Sequence, residues 1–414
     1  MLDKERIIKL LQWFILLAMF AYDGFTYLPE EMDFALLKSL YYVVIFIAFV
    51  LVICLQTSRG RVPYQPIGTV SYAIQVFIWL YLTRLLYDFM IAGVDQEIVT
   101  NPFAAIFLYA NAAIIPFYGF LFFRWDLIDL RKLNTAILLI LLIMGMVSMY
   151  NIFTGKALEY LGPDGRFMGN ASMDTIAFGH LGTSLFLLGL SLFYQQDIRL
   201  WHKLLSIVSL VSGLFISIAA GSRGAMVALI FCFLAYLYMN GHKRKVLIGI
   251  PVLVALLVAL LPVLNDFLIN TMDNHALERL YASIYDPNSM DAGVTSGRDL
   301  LYEKAWQNFS DSPIIGTSFF IDGKYVHNSI FESFIGLGLV GGCLFTYFIL
   351  YAFISAFQIV QRNKCYMFFA LLSIQYIVYS LFSRTLSLFP IFWLTLYLVI
   401  FIKNNEFYSP DNKS

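Results

Sequence analysis

Runs of about twenty apolar residues follow one another along almost the whole chain, and no other feature narrows its possible folds so sharply. A helix needs about 20 such residues to cross the ~30 Å hydrocarbon core of a bilayer, and in lipid only helices and closed barrels satisfy their own backbone polar groups. About twelve segments qualify by that measure, at approximately 7–26, 35–55, 70–94, 103–123, 135–153, 176–195, 204–220, 225–240, 246–265, 328–360, 367–383 and 386–403. Of the 414 residues 60% are apolar and 13% charged, and the mean hydropathy is +0.75; soluble domains hold roughly 45–50% apolar and 25% charged residues. A cytosolic enzyme, a nucleic-acid binder and a disordered scaffold are excluded together. The expected fold is all-α, a polytopic integral membrane protein with one transmembrane domain over residues 1–414.

Leu204 to Asn240 reads as one apolar run, yet a single helix of that length would be about 55 Å long, nearly twice the hydrocarbon thickness. The chain must turn back, and Gly221-Ser222-Arg223-Gly224 is the place for it. Lys and Arg then fall in alternate connections: Arg59 and Arg61; Arg124, Arg131 and Lys132; Arg199 and Lys203; Lys243, Arg244 and Lys245; Arg362 and Lys364. By the positive-inside rule these, the basic head (Lys4, Arg6, Lys9), Lys403 and both termini face the cytoplasm. Ala21 to Asp23 is a poor cleavage site, so the first span reads as a retained helix. Cys54, Cys232 and Cys343 lie in or at the ends of apolar runs and Cys365 beside a basic turn, which suggests neither a disulfide nor a metal cluster.

The connections left on the outer side are short except one. Asp266 to Val326 runs about sixty residues, and long loops are usually functional. Leu277, Leu280, Tyr281 and Ile284 recur at helical spacing within it, as do Leu301, Tyr302, Ala305, Trp306 and Phe309. Both are expected as amphipathic helices lying on the outer membrane surface. Pro287 and Pro313 punctuate them, and Ser296 with Asp299 resembles a capping box.

Five arginines sit on this outer side against the topological grain: Arg84, Arg166, Arg223, Arg298 and Arg384. An ionisable residue at membrane depth is a functional hypothesis by default; Arg223, at the apex of the hairpin, alternatively snorkels to headgroups. Arg298 falls in the first turn of the second loop helix, where a cation opposes the macrodipole. A bound anion would explain it, because free amides and a guanidinium fork make a phosphate cradle; a loop carboxylate is the alternative partner. Arg84 and Asp88, four apart, can neutralise one another. Arg166 and Arg384 suit either ligand binding or interface anchoring.

His327 stands at the outer mouth just before span ten. With a reference pKa of about 6.5, an imidazole can take a proton from a hydroxyl near neutral pH, and the adjoining helix N-terminus would favour an anion; a plain hydrogen bond to a neighbour is the alternative. Ser329 and Glu332 fit the S-x-x-E capping box. His180, inside span six, reads as a helix-to-helix hydrogen bond. Gly336, Gly338, Gly341 and Gly342 read as a surface for close helix approach.

Gly221-Ser222-Arg223-Gly224-Ala225, then Ser296-Gly297-Arg298 through Trp306 and Pro313 to Gly316, then His327-Asn328 with Gly338 and Gly341, together resemble the bacterial O-antigen polymerase and O-antigen ligase superfamily. The sharpest element is the His-Asn pair, nine residues, Gly, two residues, Gly. The resemblance implies a GT-C-like glycosyltransferase of the inner membrane acting in lipopolysaccharide biosynthesis. Its donor would be an undecaprenyl-diphosphate-linked glycan. The acceptor would be a hydroxyl of a second lipid-linked repeat unit in a polymerase, or of lipid A core in a ligase. On these positions Arg223 and Arg298 would hold the diphosphate and His327 would orient or deprotonate the attacking hydroxyl, with Arg166, Arg84 and Arg384 as further substrate-binding candidates. The resemblance implies no metal and no cofactor, and a chain-length-regulating co-polymerase as a partner.

The residues themselves agree on two points. No cytoplasmic segment is long enough for a nucleotide-sugar-binding domain, which leaves a lipid-linked donor. No outer cluster of carboxylates or His/Cys at ligand spacing suggests a divalent cation, so arginines would have to neutralise the diphosphate. Polymerase is preferred to ligase. A flippase would show two matching halves with interrupted helices, and none is visible in the sequence; a purely structural envelope protein would leave Arg223, Arg298 and His327 unexplained.

Overall fold

In lipid the backbone has only itself to bond to, and the chain answers with helices. The computed structural model describes residues 4–31, 35–58, 68–93, 102–161, 166–169, 173–193, 200–242, 277–285 and 298–407, with short stretches between 255 and 270. In the first half α1 (Lys4–Phe20) and α2 (Tyr22–Glu31) divide the expected first span at Ala21. They are followed by α3 (Ala35–Thr57), α4 (Gly68–Met90) and α5 (Pro102–Tyr109), which passes through a π-helical turn, Ala110–Ile114, into α6 (Ile115–Phe120). Next come α7 (Leu130–Phe153), α8 (Thr175–Phe193), α9 (Leu200–Ala219) and α10 (Arg223–Met239). Among the described residues seven helical runs are long and apolar enough to cross a membrane, and Arg223–Met239, Val258–Phe267 and Pro390–Asn404 are shorter apolar helices. The chain is a multi-pass membrane protein. The expected ninth span, 246–265, falls partly outside the described residues.

The turn that helix length demanded lies between α9 and α10. Gly221 takes a left-handed φ of 57° there, and Ser222 Oγ accepts from Ala225 N at 3.5 Å to cap α10. Helices α8 and α9 approach until Gly182 and Gly213 leave no room for a methyl group, as small residues allow between membrane helices. Ser209 Oγ donates to Leu185 O across that contact at 2.7 Å.

The second half contains α11 (Glu278–Tyr285), α12 (Arg298–Asp311), a hairpin of β1 (Phe320–Ile321) and β2 (Lys324–Tyr325), α13 (Ser329–Arg362), α14 (Met367–Ser380) and α15 (Pro390–Phe407). Part of each loop helix packs on protein. Leu301, Tyr302, Ala305 and Phe309 of α12 pack on Ile321, Val326, Phe331 and Ile335, whereas Trp306 is 62% exposed. Leu277 and Tyr281, at α11, pack with Leu261, Leu264, Ile218 and Met226. The ends of the spans are as apolar as a membrane surface and offer fixed partners. Pro287 and the Ser296/Asp299 capping box lie outside the described residues.

Helix α13 is the largest departure from expectation. Its 34 residues would make a straight rod of about 51 Å, but it breaks at Gly338, with φ 63° and ψ −160°. Phe334 lies on Gly342, eight residues later and about 12 Å away in an unbroken helix. The first turns of α13 therefore fold back over the continuing span. The large loop fills the break: Leu339 N donates to Pro313 O at 2.8 Å and Thr317 N to Ile335 O at 2.6 Å, replacing bonds the helix gives up. A methyl group on Gly338 would overlap the Ile314 carbonyl, and one on Gly336 the Phe319 ring. These two glycines, expected to admit another helix, admit the loop.

Helix α14 has 14 residues and rises about 21 Å, short of the ~30 Å core. A short turn, residues 381–389, follows it before α15 begins. The folded-back start of α13 comes down to meet it, with Ser329 Oγ 2.9 Å from Ser380 Oγ.

Candidate functional site

The turn at residues 381–389 collects segments from three other parts of the chain. Asn328 Nδ2 donates to Leu381 O at 3.3 Å. A Cβ on Gly224 would stand 3.5 Å from Phe382 Cβ, so the α9–α10 hairpin leans on the next residue of the same turn. Arg384 Nη2 reaches Asp174 Oδ2 at 2.6 Å and its Nε donates to Tyr379 OH at 3.0 Å. Thr385 and Leu386 bind Glu332. The connections that alternate charge places on one side of the membrane do meet at one end of the bundle. Arg124 with Glu5 (3.1 Å) and Lys364 with Asn240 (3.3 Å) mark the other end.

Arg223 and His327 are each one residue from a contact with adjacent members of this turn. His327 holds a left-handed φ of 58°, and Arg384 one of 69°. Side chains other than glycine are uncommon there, and such conformations gather at functional sites. The half-buried imidazole lies 4.1 Å from the Tyr325 ring, centroid to centroid, tilted by 52°.

Asn328 is the N-cap of α13. Its Oδ1 accepts from Ile330 N and Phe331 N, both at 3.1 Å. Two amides expected to favour an anion beside His327 are thus already engaged, and Ser329 is not the cap. The S-x-x-E reading of Ser329 and Glu332 is overturned: Glu332 turns inward, wholly buried.

Arg166 Nη1 points to Gly221 O at 3.5 Å, which sets it beside the hairpin two residues before Arg223. Arg223 is the first residue of α10 and Arg298 the first of α12; the Arg298 side chain lies outside the described residues. Arg84 Nε pairs with Asp88 Oδ1 at 2.8 Å, the neutralisation that their spacing allows, and its guanidinium lies over the Tyr87 ring at 5.3 Å. His180 makes the expected interhelical bond: its Nδ1 lies 3.3 Å from Gln375 Nε2. Its ring also stacks on Tyr379 at 3.6 Å.

The sequence reading missed Tyr81 and Asp174 and saw only part of what Asp88 and Glu332 do. Asp88 is buried and accepts from Ser318 Oγ at 3.0 Å and Phe319 N at 3.2 Å, so it anchors the large loop to α4. Two turns earlier Tyr81 stacks on Phe319 at 4.0 Å. Asp174 caps α8 through Ala177 N at 2.6 Å while it pairs with Arg384. Its place directly ahead of an apolar helical run is an N-cap signal legible in sequence.

Residues 207–346 match the family model for O-antigen ligase. The match covers about a third of the chain, and that stretch is similar to the O-antigen ligase family. It runs from within α9 through the hairpin, the large loop and the break in α13, and it includes Arg223, Arg298, His327 and Gly338 but not Arg84, Arg166 or Arg384. The superfamily implies O-antigen ligase or polymerase-type activity on lipid-linked polysaccharide. No curated protein matches the chain in sequence.

Proposed function

We propose that this protein is an O-antigen type polysaccharide polymerase. It transfers an undecaprenyl-diphosphate-linked glycan to a sugar hydroxyl of a second lipid-linked repeat unit, at the periplasmic face of the bacterial inner membrane, with both termini in the cytoplasm. The observation that carries this reading is the shared turn, where the hairpin bearing Arg223 rests on Phe382 and the helix start bearing His327 is tied to Leu381. In the reaction the acceptor oxygen bonds to the anomeric carbon as that carbon's bond to the diphosphate oxygen breaks. His327 takes the hydroxyl proton and later yields it to solvent; undecaprenyl diphosphate leaves with the electron pair. Arg223 and Arg298 hold the phosphates through charge-assisted forks and stabilise the charge that grows on the leaving group, a large catalytic term in a partly dry site. Arg166 supports them from the Gly221 side. Arg84 and Arg384 act through the segments that Asp88 and Asp174 hold. A chain-length-regulating co-polymerase is the expected partner.

The ligase description of the matching family favours a second reading, in which the same donor chemistry serves lipid A core as acceptor. Purified protein in nanodiscs, given lipid-linked repeats with and without lipid A core, separates the two. Ladders without core support a polymerase, and product that requires core refutes it. His327→Ala and Arg223→Ala should each abolish product while the protein stays inserted. Wild-type ladders from both variants would remove the site assignment.

A further inference from the structure

One turn beyond His327 and Asn328 lies a carboxylate that neither capping nor the transfer chemistry calls for. Glu332 is wholly buried, and its partners are uncharged. Tyr81 OH donates to Oε1 at 2.6 Å, Thr385 Oγ1 to Oε1 at 2.8 Å, and Leu386 N to Oε1 at 3.1 Å and Oε2 at 3.3 Å. Sinking a charge without a cation is expensive. The site recovers this by meeting the carboxylate with donors alone: all three reach Oε1, and Leu386 N also reaches Oε2. A glutamine can keep its oxygen at the Oε1 place, but its NH2 then faces Leu386 N, donor against donor.

The three donors come from two different elements, α4 and the turn after α14. Tyr81 belongs to α4 and carries the large loop through its stack on Phe319. Thr385 and Leu386 directly follow Arg384 in the turn on which the Arg223 hairpin leans. Glu332 itself rides on the short helix that starts at His327-Asn328. The other ties near that helix start, Asn328 to Leu381 and Ser329 to Ser380, are one hydrogen bond each, whereas Glu332 accepts from three donors.

We propose that Glu332 is a positioning residue for glycan transfer: it pins the Arg384 turn and α4 to the helix that carries His327, and so fixes the imidazole relative to the arginine-bearing hairpin. The proposal rests on the reading of His327 as the group that handles the acceptor hydroxyl. A misplacement of about 1 Å at a reacting centre costs on the order of 10²-fold in rate. The carboxylate does not touch the substrate, so its removal should act on turnover and not on donor capture.

The test uses the full chain in nanodiscs with lipid-linked repeats, rates being normalised to inserted, monodisperse protein. Glu332→Gln should lower kcat about 10²-fold with donor KM unchanged, and Glu332→Asp, charged but one methylene short, should recover part of the loss. Thr385→Val and Tyr81→Phe each remove one donor and should lower kcat less. The double variant E332Q/T385V should depart from the product of the two single losses, because both changes act on the same node. Should E332Q fail to insert, the two milder variants carry the test by the same split between kcat and KM. Wild-type kcat in E332Q, or in both milder variants where E332Q does not insert, overturns the proposal. So does a loss that appears only as less inserted protein, or only as a raised KM. Transfer by His327→Ala would instead strike the reading of the reaction itself; an inactive His327→Ala beside a fully active E332Q strikes the positioning role alone.

Discussion

Replacing Gly338 by alanine should release the large loop from the membrane domain, and the structure sets the size of the effect. The residue holds φ 63° and ψ −160°, a region that costs a side-chain-bearing residue about 1–3 kcal/mol. The added methyl would also overlap the Ile314 carbonyl. Relief of that overlap moves Pro313–Ile315 and breaks the Leu339 N to Pro313 O bond of 2.8 Å, worth about 0.5–1.5 kcal/mol net. A middle value of about 3 kcal/mol shifts the docked population of the loop roughly 10²-fold. Hydrogen exchange of the Leu339 and Thr317 amides, followed in nanodiscs beside transfer activity, reads this directly: both amides should lose protection and product should fall. Gly93→Ala is the comparator, since Gly93 has φ +64° but nothing within 4 Å of its would-be Cβ. It bears backbone strain without touching the loop. Native protection and activity in Gly338→Ala would refute the reasoning, as would changes at Leu339 and Thr317 no larger than those from Gly93→Ala.

Two further outcomes follow from the same packing. Ala305→Leu, at a position with no exposed surface, should overpack the contact between α12 and α13 and cost about 1–3 kcal/mol, whereas Trp306→Ser should stay within about 0.5 kcal/mol. Limited proteolysis of the loop ranks them, and the reverse order would mean that α12 rests on its Trp306 face. A double-mutant cycle on Arg384 and Asp174, whose side chains are 32% and 49% exposed, should give a coupling in loop stability of at most about 1 kcal/mol that weakens as salt rises. A salt-independent coupling of twice that size would contradict this exposure.

Features set by a hard length or charge rule were legible in sequence. The turn at Gly221-Ser222 had to exist because no single helix from Leu204 to Asn240 fits a bilayer. Which connections share one end of the bundle followed from alternate charge, and the ties of Asp174 to Arg384 and of Asn328 to Leu381 agree. Local patterns with two solutions were read wrongly. Asn328 and Ser329 both make good caps, and Ser329 with Glu332 completes a capping box on paper. The choice is made by Thr385 and Leu386, more than fifty positions away, which draw the Glu332 side chain inward. The α12 stripe was right for Leu301, Tyr302, Ala305 and Phe309 and wrong for Trp306, and it did not show that Ile335 and Val326 would cover them.

The spacing of the His-Asn motif is where sequence and structure explain one another. Nine residues separate Asn328 from Gly338, a helical rise of about 13 Å. Gly338 marks where α13 can reverse, because only glycine accepts that backbone and leaves room for the Ile314 carbonyl. The nine residues then set how far the returning helix descends. Here it descends until Ser329 meets Ser380 at the end of α14, which is the depth of the turn that the hairpin bearing Arg223 also touches. A shorter interval would leave His327 above that turn. The motif is thus a measured length of helix, and what it sets is the meeting of Ser329 with Ser380 at the end of α14.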